Sequence, residues 1–224
     1  AIPGVIDGMR YTRQGQACTA GSRVYIHEKI YDKVLNGAVE KLSKLKMGNA
    51  LDEKSDIGAI ISEEQLKRTL YYMDIAKKNS STKILHGGNQ SKGGDYKDGF
   101  YYEPTLLSGL PVSSPVCQEE VFGPVACAIP FKSFDEVMES ANDTQFGLSA
   151  VLWTKDLSRA LQFVDEIEAG FVQVNQCVAP RANVSYGGIK MSGLGKEYAF
   201  DSMMNHFTQS KTILINRGKS NLDV

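Results

Sequence analysis

The chain has 224 residues, 42% of them hydrophobic and 23% charged, so it can bury a core and is not a disordered polymer. A formal net charge of −1 argues against nucleic-acid binding, which needs a basic excess on some face of the protein. No apolar run reaches the ~18 residues of a membrane span, and no basic segment followed by an apolar stretch predicts a secretion signal. Neither a nucleic acid nor a membrane is therefore an expected partner.

Short segments rich in β-branched, aromatic and small apolar residues predict the strands. In chain order they are residues 23–28, 82–86, 100–107, 124–131, 148–154, 169–175 and 210–216. Glycine-rich residues 87–99 are expected to form a flexible loop or hairpin tip, because the spacing of a phosphate-binding P-loop is absent.

Helical periodicity predicts four helices between these strands. They span residues 29–46, 62–79, 134–141 and 156–167. Ser62 and Ser133 each stand three residues before a Gln or Glu, the spacing of a capping box, and Gly48 stands where a C-cap belongs. The last of the four is expected to turn an apolar face toward the core, formed by Leu157, Leu161, Val164 and Ile167.

The order strand, helix, strand, helix, strand over residues 125–175 predicts an α/β fold. Right-handed crossovers give a largely parallel sheet covered by helices on both faces, which is a three-layer sandwich. No internal repeat and no interdomain linker is visible.

Cysteine and histidine usage predicts neither a metal site nor a disulfide framework. The four cysteines form no CxxC pair, and only three histidines accompany them. Sparse cysteines in a chain of this length favour a reducing compartment, and we expect the cytoplasm.

Cys18 lies in the stretch "RQGQACTAGSR", between glycines, alanines and small polar residues. A cysteine is more often a small buried hydrophobe than a catalyst. Here the small neighbours leave room for a substrate and let backbone N–H groups converge on an oxyanion. A neutral thiol needs an activator, and His27, His86 and His206 are the histidines available.

Two further stretches contain residue types that suit ligand binding. In "CQEEVFGPV", two carboxylates precede Phe122. They could be a charged turn, or a carboxylate that binds sugar hydroxyls beside a ring that lies against a flat heterocycle. The stretch "YGGIKMSGLGKE" is rich in glycine but lacks the GxGxxG spacing, which favours a tightly folded loop near a binding cleft.

Taken in order, these stretches resemble the catalytic domain of the aldehyde dehydrogenase superfamily. The similarity is carried by "RQGQACTAGSR", "YYEPTLL", "EEVFGPV", "ANDTQFGLSA", "GFVQVN" and "YGGIKMSGLGKE". It implies a catalytic domain of that type over residues 1–206. Residues 207–224 are then expected to form a C-terminal strand and tail with a role in oligomerisation.

The resemblance implies that Cys18 is the nucleophile that converts an aldehyde to a carboxylic acid through a thiohemiacetal and a thioester. NAD or NADP is the implied cofactor. Glu120 would hold the ribose at the nicotinamide end, and Phe122 would lie against that end. Asn142 and the glycines of the 187–195 loop would be mainly structural.

The chain also departs from the family pattern. Family members have a Rossmann-type nucleotide-binding domain, a general-base glutamate and an oxyanion-hole asparagine that have no counterpart here, and Arg13 replaces a usual asparagine. We therefore expect a domain that alone does not complete the redox cycle and needs the missing nucleotide-binding half or a homo-oligomer partner. Two alternatives stay open: a non-redox assembly or regulatory module, and a cysteine esterase or hydrolase that pairs Cys18 with a histidine.

Overall fold

Helices and strands alternate along residues 1–216, the part of the chain described by this computed structural model. The α-helices of these residues are α1 Ile2–Gly8, α2 Tyr31–Leu42, α3 Glu63–Lys78, α4 Pro115–Gln118, α5 Phe134–Asn142, α6 Leu157–Glu166 and α7 Phe200–Phe207. The strands are β1 Arg23–His27, β2 Lys83–His86, β3 Gln90–Ser91, β4 Tyr101–Tyr102, β5 Thr105–Ser108, β6 Val125–Phe131, β7 Phe146–Gly147, β8 Ser149–Leu152, β9 Phe171–Val174 and β10 Ile189–Lys190.

The main sheet has four strands in the order β1-β6-β5-β2. β1, β6 and β5 are parallel to one another, and β2 is antiparallel to β5. The prediction of a mostly parallel α/β sheet is therefore confirmed. The strands of residues 125–175 do not form one ladder, however, because β8 and β9 pair in parallel as a separate two-stranded sheet.

The two faces of the main sheet bury different sets of side chains, which creates the three layers. Along β6, Val125, Cys127 and Ile129 pack in one core cluster with Leu66 and Met73 of α3. The alternate residues of β6, Ala126 and Ala128, pack in a second cluster with apolar side chains of α1 and α2. This alternation follows from the period of two residues in a strand.

The helix ends agree in part with the capping patterns. Ser133 and Glu136 form the predicted capping box, with the Glu136 N–H donating to Ser133 Oγ over 3.2 Å. Ser62 Oγ accepts from the Gln65 N–H, but the Gln65 side chain bonds elsewhere. α2 ends at Leu42 rather than near residue 46, so the predicted C-cap at Gly48 is wrong; the Gly48 N–H donates to the Ile57 carbonyl instead.

The predicted core face of α6 is wrong. Leu157, Leu161 and Val164 are 73%, 59% and 48% exposed, whereas Ala160 and Phe163 are buried. The buried stripe of α6 is therefore the one that holds Ala160 and Phe163, and the leucine stripe is open in the described structure.

The predicted strand at residues 210–216 is not formed in the structure, where Ile213, Leu214 and Ile215 are exposed. A strand needs a neighbouring strand, and none of the sheets formed within residues 1–216 includes this segment. The tail beyond it lies outside the described residues, and its role in oligomerisation stays a prediction. Among the described helices, none is long and apolar enough to cross a membrane.

Candidate active site

A cleft of about 1030 Å³ runs along β1 and β8 and is closed at one side by the loops that precede β1 and β6. The three side chains predicted to act on substrate and cofactor, Cys18, Glu120 and Phe122, all line it. Residues separated by about a hundred positions in the sequence thus share one cavity, whose size is typical of small-molecule sites.

The loop that carries Cys18 is anchored by two glutamines. Gln14 is 1% exposed, and its Nε2 donates to the carbonyl of Gly58 over 2.6 Å. Gln16 Oε1 accepts from the Ile61 N–H over 3.0 Å. These bonds fix the backbone just before Cys18, which then stands on an exposed turn at the cleft.

Gly15 brings the Cys18 loop directly against the loop of Glu120 and Phe122. Its φ is +64°, and a Cβ at this position would lie 2.2 Å from the carbonyl oxygen of Gly123. Only a residue without a side chain permits this approach at this φ. The contact therefore sets the relative position of the two motifs.

Cys18 is the exposed one of the four cysteines. Cys117 and Cys127 are buried and Cys177 is partly buried. The hydrogen bond between the thiols of Cys117 and Cys127 raises the pKa of Cys127 well above its ordinary value and lowers the pKa of Cys117. Both thiols are buried, which keeps them from reagents in solution. Cys18 Sγ lies 3.3 Å from the hydroxyl of Tyr186.

Backbone donors are available beside the sulfur. Within residues 1–216, the N–H groups of Cys18 and Thr19 donate to no protein acceptor. Free N–H groups next to a nucleophile are the usual components of an oxyanion hole.

The histidines do not serve the thiol in the described part of the chain. His27 Nδ1 accepts from the Lys29 N–H, and His86 Nδ1 lies 2.8 Å from the carbonyl of Pro104. The hydrogen bond of the Cys18 sulfur is to Tyr186, not to a histidine. His27 lines the same cleft as Cys18, but no histidine of residues 1–216 is hydrogen-bonded to the sulfur in this geometry.

The adjacent carboxylates Glu119 and Glu120 have different surroundings. Glu119 Oε2 accepts a 2.7 Å hydrogen bond from the Tyr72 hydroxyl, and burial together with this bond raises the pKa of Tyr72 to about 12. Glu120 is exposed, and its backbone carbonyl accepts from the Arg68 guanidinium. Its carboxylate has no hydrogen bond or ion pair within residues 1–216, so it is open to a ligand.

Phe122 is held in a strained backbone conformation. Its φ is 54°, a value that bulky residues rarely adopt and that occurs most often at functional sites. Gln65 Nε2 stabilises it by donating to the carbonyls of Val121 and Phe122, over 3.0 and 2.8 Å. The Gln65 side chain thus stabilises the Phe122 loop instead of completing the capping box of α3. Sequence periodicity could not show this contact, because the two residues are far apart in the chain.

The 186–197 loop is built around internal bonds, as its glycines suggested. Lys196 Nζ donates to the carbonyls of Gly187 and Gly188 over 2.9 and 3.0 Å. The Asn142 side chain likewise bonds only backbone groups, those of residues 166 and 168. The contact of this loop with Cys18 through Tyr186 was missed by the sequence analysis, since 168 positions separate the two residues.

The cleft contains groups that suit a ligand with vicinal hydroxyls and a flat ring, as a nicotinamide dinucleotide has. A carboxylate accepts hydrogen bonds from vicinal ribose hydroxyls, and Glu120 has one free in the cleft. The partly buried Phe122 ring offers an aromatic face to a flat heterocycle.

The fold and the cleft define a three-layer α/β domain in which an exposed cysteine and a free carboxylate line the same cavity. Residues 1–213 match the aldehyde dehydrogenase family, and the chain belongs to that family. An aldehyde dehydrogenase of Rhodospirillum rubrum is 39% identical over 202 residues, which cover 90% of this chain and 40% of that protein. The chain spans about two-fifths of the length of the curated relatives it matches.

Solved structures show the same fold. The NAD+ complex of an aldehyde dehydrogenase from Bacillus cereus has a TM-score of 0.90 at 31% identity, covering 96% of this chain and 43% of that one. A betaine aldehyde dehydrogenase from Staphylococcus aureus in complex with NAD+ has a TM-score of 0.87 at 32% identity, with coverages of 91% and 40%.

Proposed function

We propose that this chain is the nucleophile-bearing catalytic part of an NAD(P)-dependent aldehyde dehydrogenase that oxidises an aldehyde to a carboxylic acid. The observation that carries the proposal is the shared cleft, in which the exposed Cys18 faces the same cavity as Glu120 and Phe122. Structures of the Staphylococcus aureus relative record one of its cysteines both free of and modified by BME, so that protein contains a modifiable thiol.

Cys18 begins the proposed reaction as a thiolate. Its sulfur adds to the aldehyde carbon, the C–S bond forms, and the carbonyl electron pair moves to oxygen. The free N–H groups of Cys18 and Thr19 are placed to donate to that oxyanion. Addition makes the carbon tetrahedral, and collapse of the oxyanion expels hydride and leaves a thioester on Cys18. Water then attacks the thioester carbon, which releases the carboxylic acid and restores the sulfur.

NAD or NADP supplies the hydride acceptor when it is bound. In our proposal Glu120 accepts hydrogen bonds from the ribose at the nicotinamide end, and Phe122 packs against the same end. The two hydrogen bonds from Gln65 hold the Phe122 backbone in place even when no cofactor is bound. Both residues thus orient one end of the cofactor beside the sulfur. The chain shares about two-fifths of its relatives' length, and we propose that the additional segments or a second copy complete the site.

The proposal is tested by following NADH formation from NAD+ and a panel of small aldehydes. The assay is run with the chain alone and with the chain joined to the additional segments that its relatives possess. We expect aldehyde-dependent NADH from the joined protein and no steady turnover from the chain alone. An inactive but folded joined protein would overturn the function, and steady turnover by the chain alone would overturn the need for a second part.

Replacing Glu120 with alanine is expected to weaken NAD+ binding at least ~10-fold, because hydrogen bonds to a charged group contribute about 1.5–3 kcal/mol. The dissociation constant is measured by titration of the joined protein. The matched variant is Glu119→Ala, whose carboxylate bonds Tyr72 instead. It is expected to lower the free energy of unfolding by about 1–2 kcal/mol with little change in NAD+ affinity. Equal effects of the two variants on affinity would contradict the assignment of Glu120.

A further inference from the structure

We infer that the Tyr186 hydroxyl is a hydrogen-bond donor to the Cys18 sulfur and stabilises it as the thiolate. The two atoms lie 3.3 Å apart, within the range for a hydrogen bond to sulfur. This inference rests on the proposed nucleophilic role of Cys18 and adds a residue that activates it. It also gives the thiol the partner that no histidine in the described chain provides.

The Tyr186 ring is held in place from several sides. Its backbone N–H and carbonyl pair with those of Glu197 over 3.0 and 2.7 Å. The ring makes edge-to-face contacts with Phe171 and Tyr198, at centroid distances of 5.4 and 5.7 Å. Phe171 is the buried first residue of β9, so the Tyr186 ring packs against a strand of the β8–β9 sheet.

The direction of the hydrogen bond follows from the acidities of the two groups. Burial, followed by the contact with Cys18, raises the pKa of Tyr186 well above its ordinary value. The phenol therefore keeps its proton in the pH range where a thiol ionises. When Cys18 loses its proton, the neutral hydroxyl can only donate to the sulfur, and such a bond favours the charged form.

The other titratable groups that act on Tyr186 are few. Tyr198 and Glu197 are its electrostatic neighbours besides Cys18. The cleft that Cys18 lines also contains charged side chains of both signs, among them those of Glu119, Glu120, Arg23, Lys132 and Arg159. Within residues 1–216 the Tyr186 hydroxyl is the side-chain group hydrogen-bonded to the sulfur, so it is placed to stabilise the thiolate directly.

The test compares wild type with Tyr186→Phe, in which the ring and its packing are kept and the hydroxyl is lost. Alkylation of Cys18 by iodoacetamide is measured from pH 5 to 10 on the 224-residue chain, with site-resolved mass spectrometry to separate the four thiols. We expect the midpoint of the Cys18 profile to move up by about one pH unit in the variant. Because a more basic thiolate is also more nucleophilic, the rate should fall about threefold near pH 7 and rise about threefold at the alkaline plateau.

Crossing profiles are the signature that a merely structural role would not produce. A displaced loop would change the rate in the same direction at every pH. The control is Tyr198→Phe, which removes a hydroxyl from the other side of the same ring stack and is expected to leave the Cys18 profile unchanged.

A Tyr186→Phe profile that coincides with wild type would overturn the inference, as would an identical shift in Tyr198→Phe. Neither result bears on the dehydrogenase proposal, since no aldehyde or NAD+ enters the alkylation assay. Conversely, an inactive joined protein whose Cys18 still shows the crossing profiles would overturn the proposed function and leave the hydrogen bond supported.

Discussion

Replacing Cys18 with alanine is expected to abolish aldehyde oxidation while leaving the fold intact. Without the sulfur no C–S bond forms, so the aldehyde carbon never becomes the tetrahedral hydride donor. Loss of a nucleophile in covalent catalysis lowers kcat by about 10⁴-fold or more. The Cys18 side chain is exposed on a turn, so the free energy of unfolding should change by less than about 0.5 kcal/mol.

The measurement is NADH formation by the joined protein, with urea denaturation to verify the fold. The matched control is Cys177→Ala, which removes the other partly accessible thiol. It should retain activity within about twofold of wild type, a margin typical of a neutral surface change. If Cys18→Ala keeps more than about a hundredth of the wild-type rate, the chemistry does not run through this sulfur.

Much of the chain order of strands and helices was predictable because each signal is local, although the helices α1, α4 and α7 were not predicted. The apolar run of β6 and the capping box before α5 depend only on near neighbours in the sequence. Which face of a helix is buried depends less on local sequence. On α6 the stripe of Leu157, Leu161 and Val164 and the stripe of Ala160 and Phe163 both have helical spacing. Which stripe is buried depends on the elements that pack against the helix in the folded chain, and the sequence pattern does not contain that information.

The sequence allowed a candidate site to be proposed as a set of residues but not as an arrangement. The family resemblance pointed to Cys18, Glu120 and Phe122, and the structure places all three along one cleft. The contacts that organise them are long-range and are made by residues with other apparent roles. Gln65 has the spacing of a helix cap yet holds the Phe122 loop. Tyr186 belongs to a glycine-rich loop yet touches the thiol.

Replacing Gly15 with alanine is expected to damage both stability and catalysis, because this residue holds the Cys18 loop against the Phe122 loop. A Cβ at Gly15 would lie 2.2 Å from the Gly123 carbonyl oxygen and 2.9 Å from Met9 Cε. A left-handed conformation costs alanine about 1–2 kcal/mol, and relieving the overlap adds about 1–3 kcal/mol. We expect the free energy of unfolding to fall by about 3 kcal/mol in urea denaturation.

The variant Gly94→Ala separates the cost of the left-handed backbone conformation from the cost of the steric overlap. Gly94 also has a positive φ, +50°, but a Cβ there would meet no atom within 4 Å. Its variant should lose only the conformational part, about 1 kcal/mol, and keep full activity. In Gly15→Ala the backbone of one loop must retreat from the other, and a displacement of about 1 Å near reacting atoms can reduce kcat ~100-fold. If the two variants lose equal stability, the Gly15–Gly123 contact does not set the distance between the nucleophile and the cofactor-binding residues. A larger loss of both stability and kcat in Gly15→Ala alone would show that this contact fixes the geometry of the cleft.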